Sequence, residues 1–423
     1  MRKENVKEFS WVLLSPIISI TGSLVLVRLL TEHLNPSEYG LLALGMTITQ
    51  LINQVVMGGL VNGISRYYSV AVEYNDVKNY IKAIRKLVFI AAMVVMSIGV
   101  IIVVVLIYLE LKEWFWLAIA ALLFSIVSGY NSALNGIQSA ARQRSVVTLH
   151  SALDSFLKIG MMFLAFNYIG VSSASVVIAY MASMLIVCVS QSFFIKKIIN
   201  KEQESIKINK INNWEEKIWA FGVPFTSWGI FTWLQLSSDR WALQTFGVTS
   251  DVGKYTVLYQ LGYMPITIAT GIVMSFLGPI LYQYSGDATD NSRNKKTNRI
   301  AWNLSLLSIV LAILGFLITA VINEEIVAIF VAEEYRDCSK YLQWIVLAGG
   351  LFSAGQILAL KLMSDMKPQL MTKAKIITAI IGCTLNVIGT IAAGMQGVII
   401  AQLIFASVYL IWMMLLAKSK ETK

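Results

Sequence analysis

Apolar runs follow one another along almost the whole chain, each near the roughly 20 residues that a helix needs to cross a hydrocarbon core. They cover residues 9–27, 41–65, 88–109, 114–140, 146–167 and 173–195. After a polar, lysine-rich stretch they resume at 218–238, 255–284, 300–322, 341–360, 376–393 and 396–417. The pattern predicts an all-α integral membrane protein with about twelve transmembrane helices. Two of the divisions rest on turn chemistry: residues 159–195 and 376–417 are too long for single spans, and NYIGVSSAS and GTIAAGMQG supply the Gly, Asn and Ser that break a helix.

Composition agrees with that pattern. The 423 residues are 57% hydrophobic and 14% charged, with a mean hydropathy of +0.68, far from the soluble norm of about a quarter charged. The basic N-terminal MRKENVKEF leads into a long apolar run without a small-residue cleavage site, so it reads as the first span and not as a removed signal. Cys188, Cys338 and Cys383 are far apart and form no Cys/His cluster, which argues against a disulfide framework or a zinc site. With only His33 and His150 available, there is little material for imidazole chemistry, and no cofactor is expected.

If the N-terminus is cytoplasmic, the great majority of the 34 lysines and arginines fall on the cytoplasmic side. The positive-inside rule then places both termini there. Glu324, Glu325, Glu333, Glu334 and Asp337 cluster in one external loop. The formal net charge of +10 therefore sits mostly at a rim facing anionic membrane lipids, and nucleic acid need not be invoked. Trp114, Trp214, Trp241 and Tyr341, near span ends, read as interfacial belts.

A weak repeat spans half the chain. RLLTEHLNPSEYGLLALGM follows the first span and DRWALQTFGVTSDVGKYTVLYQL the seventh, so Arg28 matches Arg240 and Gly40 matches Gly253, at offsets of 212 and 213 residues. The first and seventh helices also each carry a proline, Pro16 and Pro224. A unit of six spans has both ends on one side of the membrane, which predicts two six-helix bundles related by a pseudo-two-fold along the membrane normal. The expected boundaries are an N-terminal bundle at 1–200, a cytoplasmic linker at 201–217 and a C-terminal bundle at 218–423. Such bundles enclose a cleft, with a substrate site expected near mid-membrane.

N-P-S-E-Y-G-L-L opening the second span, S-R-Y-Y-S ending it, and the D-R…D-V-G-K-Y stretch of the second half resemble the polysaccharide-exporter branch of the multidrug/oligosaccharidyl-lipid/polysaccharide (MOP) superfamily. The chain is most similar to the O-antigen flippases of the Wzx type. The resemblance implies a transporter, not an enzyme. It would move an undecaprenyl-diphosphate-linked oligosaccharide from the cytoplasmic to the periplasmic leaflet of a Gram-negative inner membrane by alternating access. It also implies a polysaccharide polymerase and a chain-length regulator as partners.

Carrying a diphosphate through hydrocarbon requires a few well-placed cations, because desolvating an isolated charge costs on the order of tens of kcal/mol. HSALDSFLK sets His150, Asp154 and Lys158 at four-residue spacing, on one face of the fifth span. At about 1.5 Å per residue from Val146, Lys158 lies roughly 18 Å deep, near the midplane. Such groups face a bundle interior or an aqueous cavity. The stripe reads either as cavity lining, with Lys158 binding substrate, or as an Asp154–Lys158 pair that neutralises itself while His150 snorkels outward.

Arg28 and Arg240, at the outer mouth, suit a diphosphate bidentately or snorkel to lipid phosphate. Asp239 reads as a cation-coupling carboxylate or as a helix-end residue. Lys361, Asp365 and Arg66 read as rim charges, and sugar discrimination would rest on side chains such as Asn53, Gln54, Asn131, Asn135 and Gln356.

A multidrug or metabolite cation antiporter of the same superfamily is the alternative, and it would want unpaired acids deep in the membrane. A membrane enzyme is disfavoured because the external segments are short, and because no Ser/His/Asp group, metal cluster or Gly-rich phosphate loop occurs.

Overall fold

The computed structural model describes residues 3–202, 213–285, 291–364 and 368–418. Residues 203–212 of the expected linker, and Asp365, lie outside the described residues. The described chain is helical throughout apart from short turns. Its helices are α1 (Lys3–His33), α2 (Pro36–Ile52), α3 (Gly58–Glu73), α4 (Val77–Tyr108), α5 (Lys112–Ala140), α6 (Arg144–Tyr168), α7 (Ser173–Glu202), α8 (Trp214–Phe246), α9 (Thr249–Leu258), α10 (Met264–Ser285), α11 (Asn291–Phe330), α12 (Leu342–Ser364) and α13 (Pro368–Lys418). One π turn, Asn53–Met57, joins α2 to α3, and another, Tyr259–Tyr263, joins α9 to α10. A 3₁₀ turn, Glu333–Tyr341, precedes α12.

Among the described residues, nine helical stretches are long and apolar enough to cross a membrane. The apolar faces of α4 and α11 are left largely open, as befits helices against lipid. The long apolar tracts break where their turn residues lie. Between α6 and α7 the chain passes through Gly170 at φ +110°. Within α13 the helix is interrupted at Ala393 and Gly394, the latter at φ +55° and ψ −132°, and the chain folds back so that the backbones of Gly389 and Gly397 touch.

The chain divides into two compact units, Met1–Ser23 with Leu41–Trp233, and Leu24–Gly40 with Leu234–Lys423. In the first, the early part of α8 lies directly on α3: a Cβ on Gly59 would stand 2.6 Å from the Gly222 carbonyl oxygen, and one on Gly222 2.7 Å from that of Gly59. Small residues allow this approach, which matters where lipid gives helices no hydrophobic reason to associate. Trp214, at the start of α8, is buried against Tyr67 and Tyr80, and its indole Nε1 donates to Asp76 Oδ2 at 2.7 Å. It is a core residue with a satisfied donor, not a member of an interfacial belt.

In the second unit α12 is the central helix, packed against α10, α11 and α13. The C-terminal part of α1 and the start of α2 belong here. Gly40 lies against the carbonyl of Thr249, and Gly253 against that of Pro36. The glycines matched by the repeat therefore meet each other, in a reciprocal contact. Thr31 Oγ1 accepts the Ala332 N–H at 3.1 Å, and the Tyr335 hydroxyl donates to the Leu34 carbonyl at 2.7 Å.

Candidate functional site

Two groups of sheltered ionisable side chains stand out, one in each unit. The first is the α6 stripe. Its helical period turns His150, Asp154 and Lys158 to one side, and the partner on that side is α7, which runs back along α6 and meets each of them. Lys158 Nζ lies 2.6 Å from Asp154 Oδ2 and 5.3 Å from the ring centroid of Tyr180. Ser183 Oγ donates to Asp154 Oδ1 at 2.7 Å and stands 3.2 Å from the Asp154 carbonyl oxygen. The side chains of Lys158 and Asp154 keep 23% and 13% exposure, so the pair is sheltered but reachable.

His150 does not snorkel. It is 6% exposed, with Nδ1 2.8 Å from the Val146 carbonyl and Nε2 2.9 Å from Ser190 Oγ. A carbonyl only accepts, so Nδ1 carries the proton and Nε2 accepts from Ser190 in the neutral ring. The salt bridge of the second sequence reading is thus present, and it is formed on a face where Lys158 stays accessible. An ammonium has three donors, and among the described residues Lys158 spends one on a carboxylate while its flank rests on an aromatic face.

The second group lies on α8. Asp239 is 1% exposed. Its Oδ2 accepts from the Tyr255 hydroxyl at 2.7 Å and from Gln402 Nε2 at 3.0 Å, and its Oδ1 accepts the Arg240 backbone N–H at 2.7 Å. Arg240 Nη1 donates to the Leu236 carbonyl at 2.8 Å and lies 3.4 Å from Asp239 Oδ1. The guanidinium sits 4.5 Å above the ring of Tyr259, which itself stacks on Tyr263 at 4.6 Å. The π turn begins at Tyr259, so it helps to set the ring that carries the arginine. Tyr39 donates to Gln260, in the same turn, at 2.7 Å.

Arg28 is in the same unit but in a different setting. Nε and Nη2 hold Glu32 at 2.8 and 2.7 Å, while Nη1 donates to the Ala328 and Val331 carbonyls at 3.1 and 2.6 Å. It caps the C-terminal end of α11, where carbonyls lack helical partners. Among the described residues no hydrogen bond or ion pair joins Arg28 to Arg240. Lys361, in the last turn of α12, is buried at 4% exposure with Nζ 3.3 Å from the Ala417 carbonyl near the end of α13, whereas Arg66 is exposed.

Several participants carry no distinctive sequence signal. Ser183, Ser190 and Tyr180 meet the α6 stripe, yet serines are common in membrane helices; only their spacing along α7, matched to the stripe, could have drawn attention to them. Asn131, Gln191 and Asn135 close a ring in which each amide donates to the next, at 3.1, 2.8 and 2.8 Å. Two residues expected to read sugars thus hold α5 to α7.

The family described as polysaccharide biosynthesis protein matches residues 5–285. No curated protein matches the sequence. Among solved structures, an inward-facing multidrug resistance MATE family transporter of the MOP superfamily superposes with a TM-score of 0.68 at 14% identity, over 98% of this chain and 99% of that one. The lipid II flippase MurJ, in an inward closed conformation, superposes with a TM-score of 0.68 at 12% identity, over 97% of this chain and 87% of that one. A MOP superfamily transporter from Pyrococcus furiosus gives 0.57 at 13% identity, over 98% and 97%. At these identities the likeness establishes the fold.

Proposed function

We infer the activity from a premise of membership: the chain belongs to the polysaccharide biosynthesis protein family, which it matches over residues 5–285 of 423, and it has the fold of MOP superfamily transporters. The reading is a flippase that moves an undecaprenyl-diphosphate-linked O-antigen or related polysaccharide repeat unit from the cytoplasmic to the periplasmic leaflet of a bacterial inner membrane, by alternating access. Both termini are cytoplasmic in this reading, and polymerase and chain-length regulator act on its product. What those transporters carry is their own; a lipid-linked cargo is consistent with the flippase among them.

The observation that carries the anionic cargo is Lys158. An ion in the middle of a span costs about 2.5–3.5 kcal/mol on insertion scales, yet Lys158 retains accessible surface and, among the described residues, pairs with one carboxylate. Both acids inside the two groups, Asp154 and Asp239, stand next to a cation, which suits an anionic head group better than a cationic drug. Arg240 and Arg28, both in the second unit, are the further candidate contacts for the diphosphate.

The antiporter reading draws on Asp239, a carboxylate caged by Tyr255, Gln402 and Arg240, which would serve as an ion-coupling group. The two readings separate in cells whose only copy of the gene is the variant. With Lys158→Ala, surface polysaccharide should be lost at normal protein level, and Lys158→Arg should largely keep it. Drug resistance that follows the gene while surface polysaccharide does not would reject the flippase.

A further inference from the structure

Lys158 and Asp154 neutralise each other, but the carboxylate is not held by the lysine alone. Ser183, from the neighbouring helix, donates to Oδ1 at 2.7 Å, while Oδ2 carries the ammonium at 2.6 Å. The ring of Tyr180 lies under the ammonium at 5.3 Å. The two oxygens of Asp154 thus have separate duties, one to a fixed hydroxyl and one to a flexible four-carbon chain with 23% of its surface open. If the ammonium leaves, the carboxylate keeps a partner and its position.

We propose that Asp154 is the resident counter-ion of Lys158, anchored by Ser183 so that an anionic head group can displace it and it can reclaim the ammonium after release. The proposal rests on the flippase reading and adds Asp154, Ser183 and Tyr180 as positioning residues. In the empty carrier the pair is neutral, so the protein reorients without a bare charge in a low-dielectric setting. With cargo bound, a phosphate oxygen takes the place of Oδ2 on Nζ. Asp154 therefore competes with the cargo for binding and assists the empty return.

A merely structural salt bridge predicts that every substitution weakens binding and stability together. Displacement predicts opposite signs. Asp154→Asn removes the competitor without changing shape, so binding tightens by about fivefold, the equivalent of a partly exposed ion pair, while turnover slows. Ser183→Ala frees Oδ1 to turn toward the ammonium as well, so binding weakens severalfold.

The test uses purified full-length protein, with farnesyl diphosphate as the binding probe and flipping of a fluorescent prenyl-diphosphate disaccharide in vesicles as the turnover readout. Lys158→Gln serves as the reference variant. Loss of binding in Lys158→Gln, a gain in Asp154→Asn and a loss in Ser183→Ala are expected. Loss in Lys158→Gln without a gain in Asp154→Asn overturns the displacement mechanism alone. Unchanged binding in Lys158→Gln overturns the flippase reading and the mechanism with it. Should Asp154→Asn not fold, Ser183→Ala decides, since it keeps both charges: unchanged or tighter binding there overturns the proposal.

Discussion

Arg28 and Arg240 occupy matching places in the repeat and have different employment. Arg28 gives Nη1 to the carbonyls that end α11, so its loss exposes a helix terminus. Arg240 lies over the ring of Tyr259 beside Asp239. A lysine reproduces the charge of Arg240 but not the broad guanidinium face offered to the ring. Arg240→Lys is therefore expected to destabilise by about 1 kcal/mol, seen as a lower thermal midpoint, even if its head group still reaches Asp239; an unchanged midpoint would show that the ring contact contributes nothing. Trp214→Phe keeps an aromatic ring against Tyr80 and removes the donor to Asp76 Oδ2, leaving Asn79 on Oδ1, for an expected loss of about 1–3 kcal/mol because a charged acceptor loses one of its donors. The same measurement checks it. Neither role was legible in the sequence: a cap on α11 requires a contact with a residue about 300 positions away, and the indole of Trp214 finds Asp76 only once α8 has packed on α3.

Helix boundaries and helix approaches were far more legible. Gly394, in a conformation that side-chain-bearing residues avoid, reverses the chain inside α13 at GTIAAGMQG, and Gly170 stands in the NYIGVSSAS break. Gly394→Ala should cost about 1–3 kcal/mol, read from chemical denaturation of the purified protein; a neutral outcome would mean that the hairpin can turn another way. Gly40 and Gly253 were visible as repeat partners, and each leaves no room for a Cβ against the other's helix. Gly40→Ala and Gly253→Ala should each destabilise by about 1–3 kcal/mol. Because both wedge the same crossing, the double variant should lose less than the sum of the two. Full additivity would show that the contact does not form. The π turns had no forecast, since an extra residue in a helical turn leaves no mark in hydrophobic period; Tyr259 looks like an ordinary helical residue until Arg240 is found against it, and Asn53, read as a side chain for sugars, donates to Ser128 instead.

For the whole molecule, apolar runs and basic asymmetry specify a multi-pass membrane protein and propose its direction. Reporter fusions after Lys423 should be active only with a reporter that works in the cytoplasm, and periplasmic activity would reverse the proposed orientation. Direction also bears on energetics. A diphosphate exported from an inside-negative cell moves down the potential, worth about 2.3 kcal/mol per elementary charge per 100 mV. Collapsing that potential with valinomycin and potassium should slow flipping, whereas an unchanged rate would show that compensating charge moves with the cargo.

The most direct measurement is made in vesicles of purified lipid carrying the full-length protein and a fluorescent prenyl-diphosphate disaccharide, with the outer-leaflet fraction read by a membrane-impermeant quencher. Wild-type protein should make the inner pool accessible within minutes, Lys158→Arg nearly as fast, and Lys158→Ala no faster than vesicles without protein. Wild-type vesicles that exchange the lipid no faster than protein-free ones, or a Lys158→Ala variant as fast as wild type, would contradict the account.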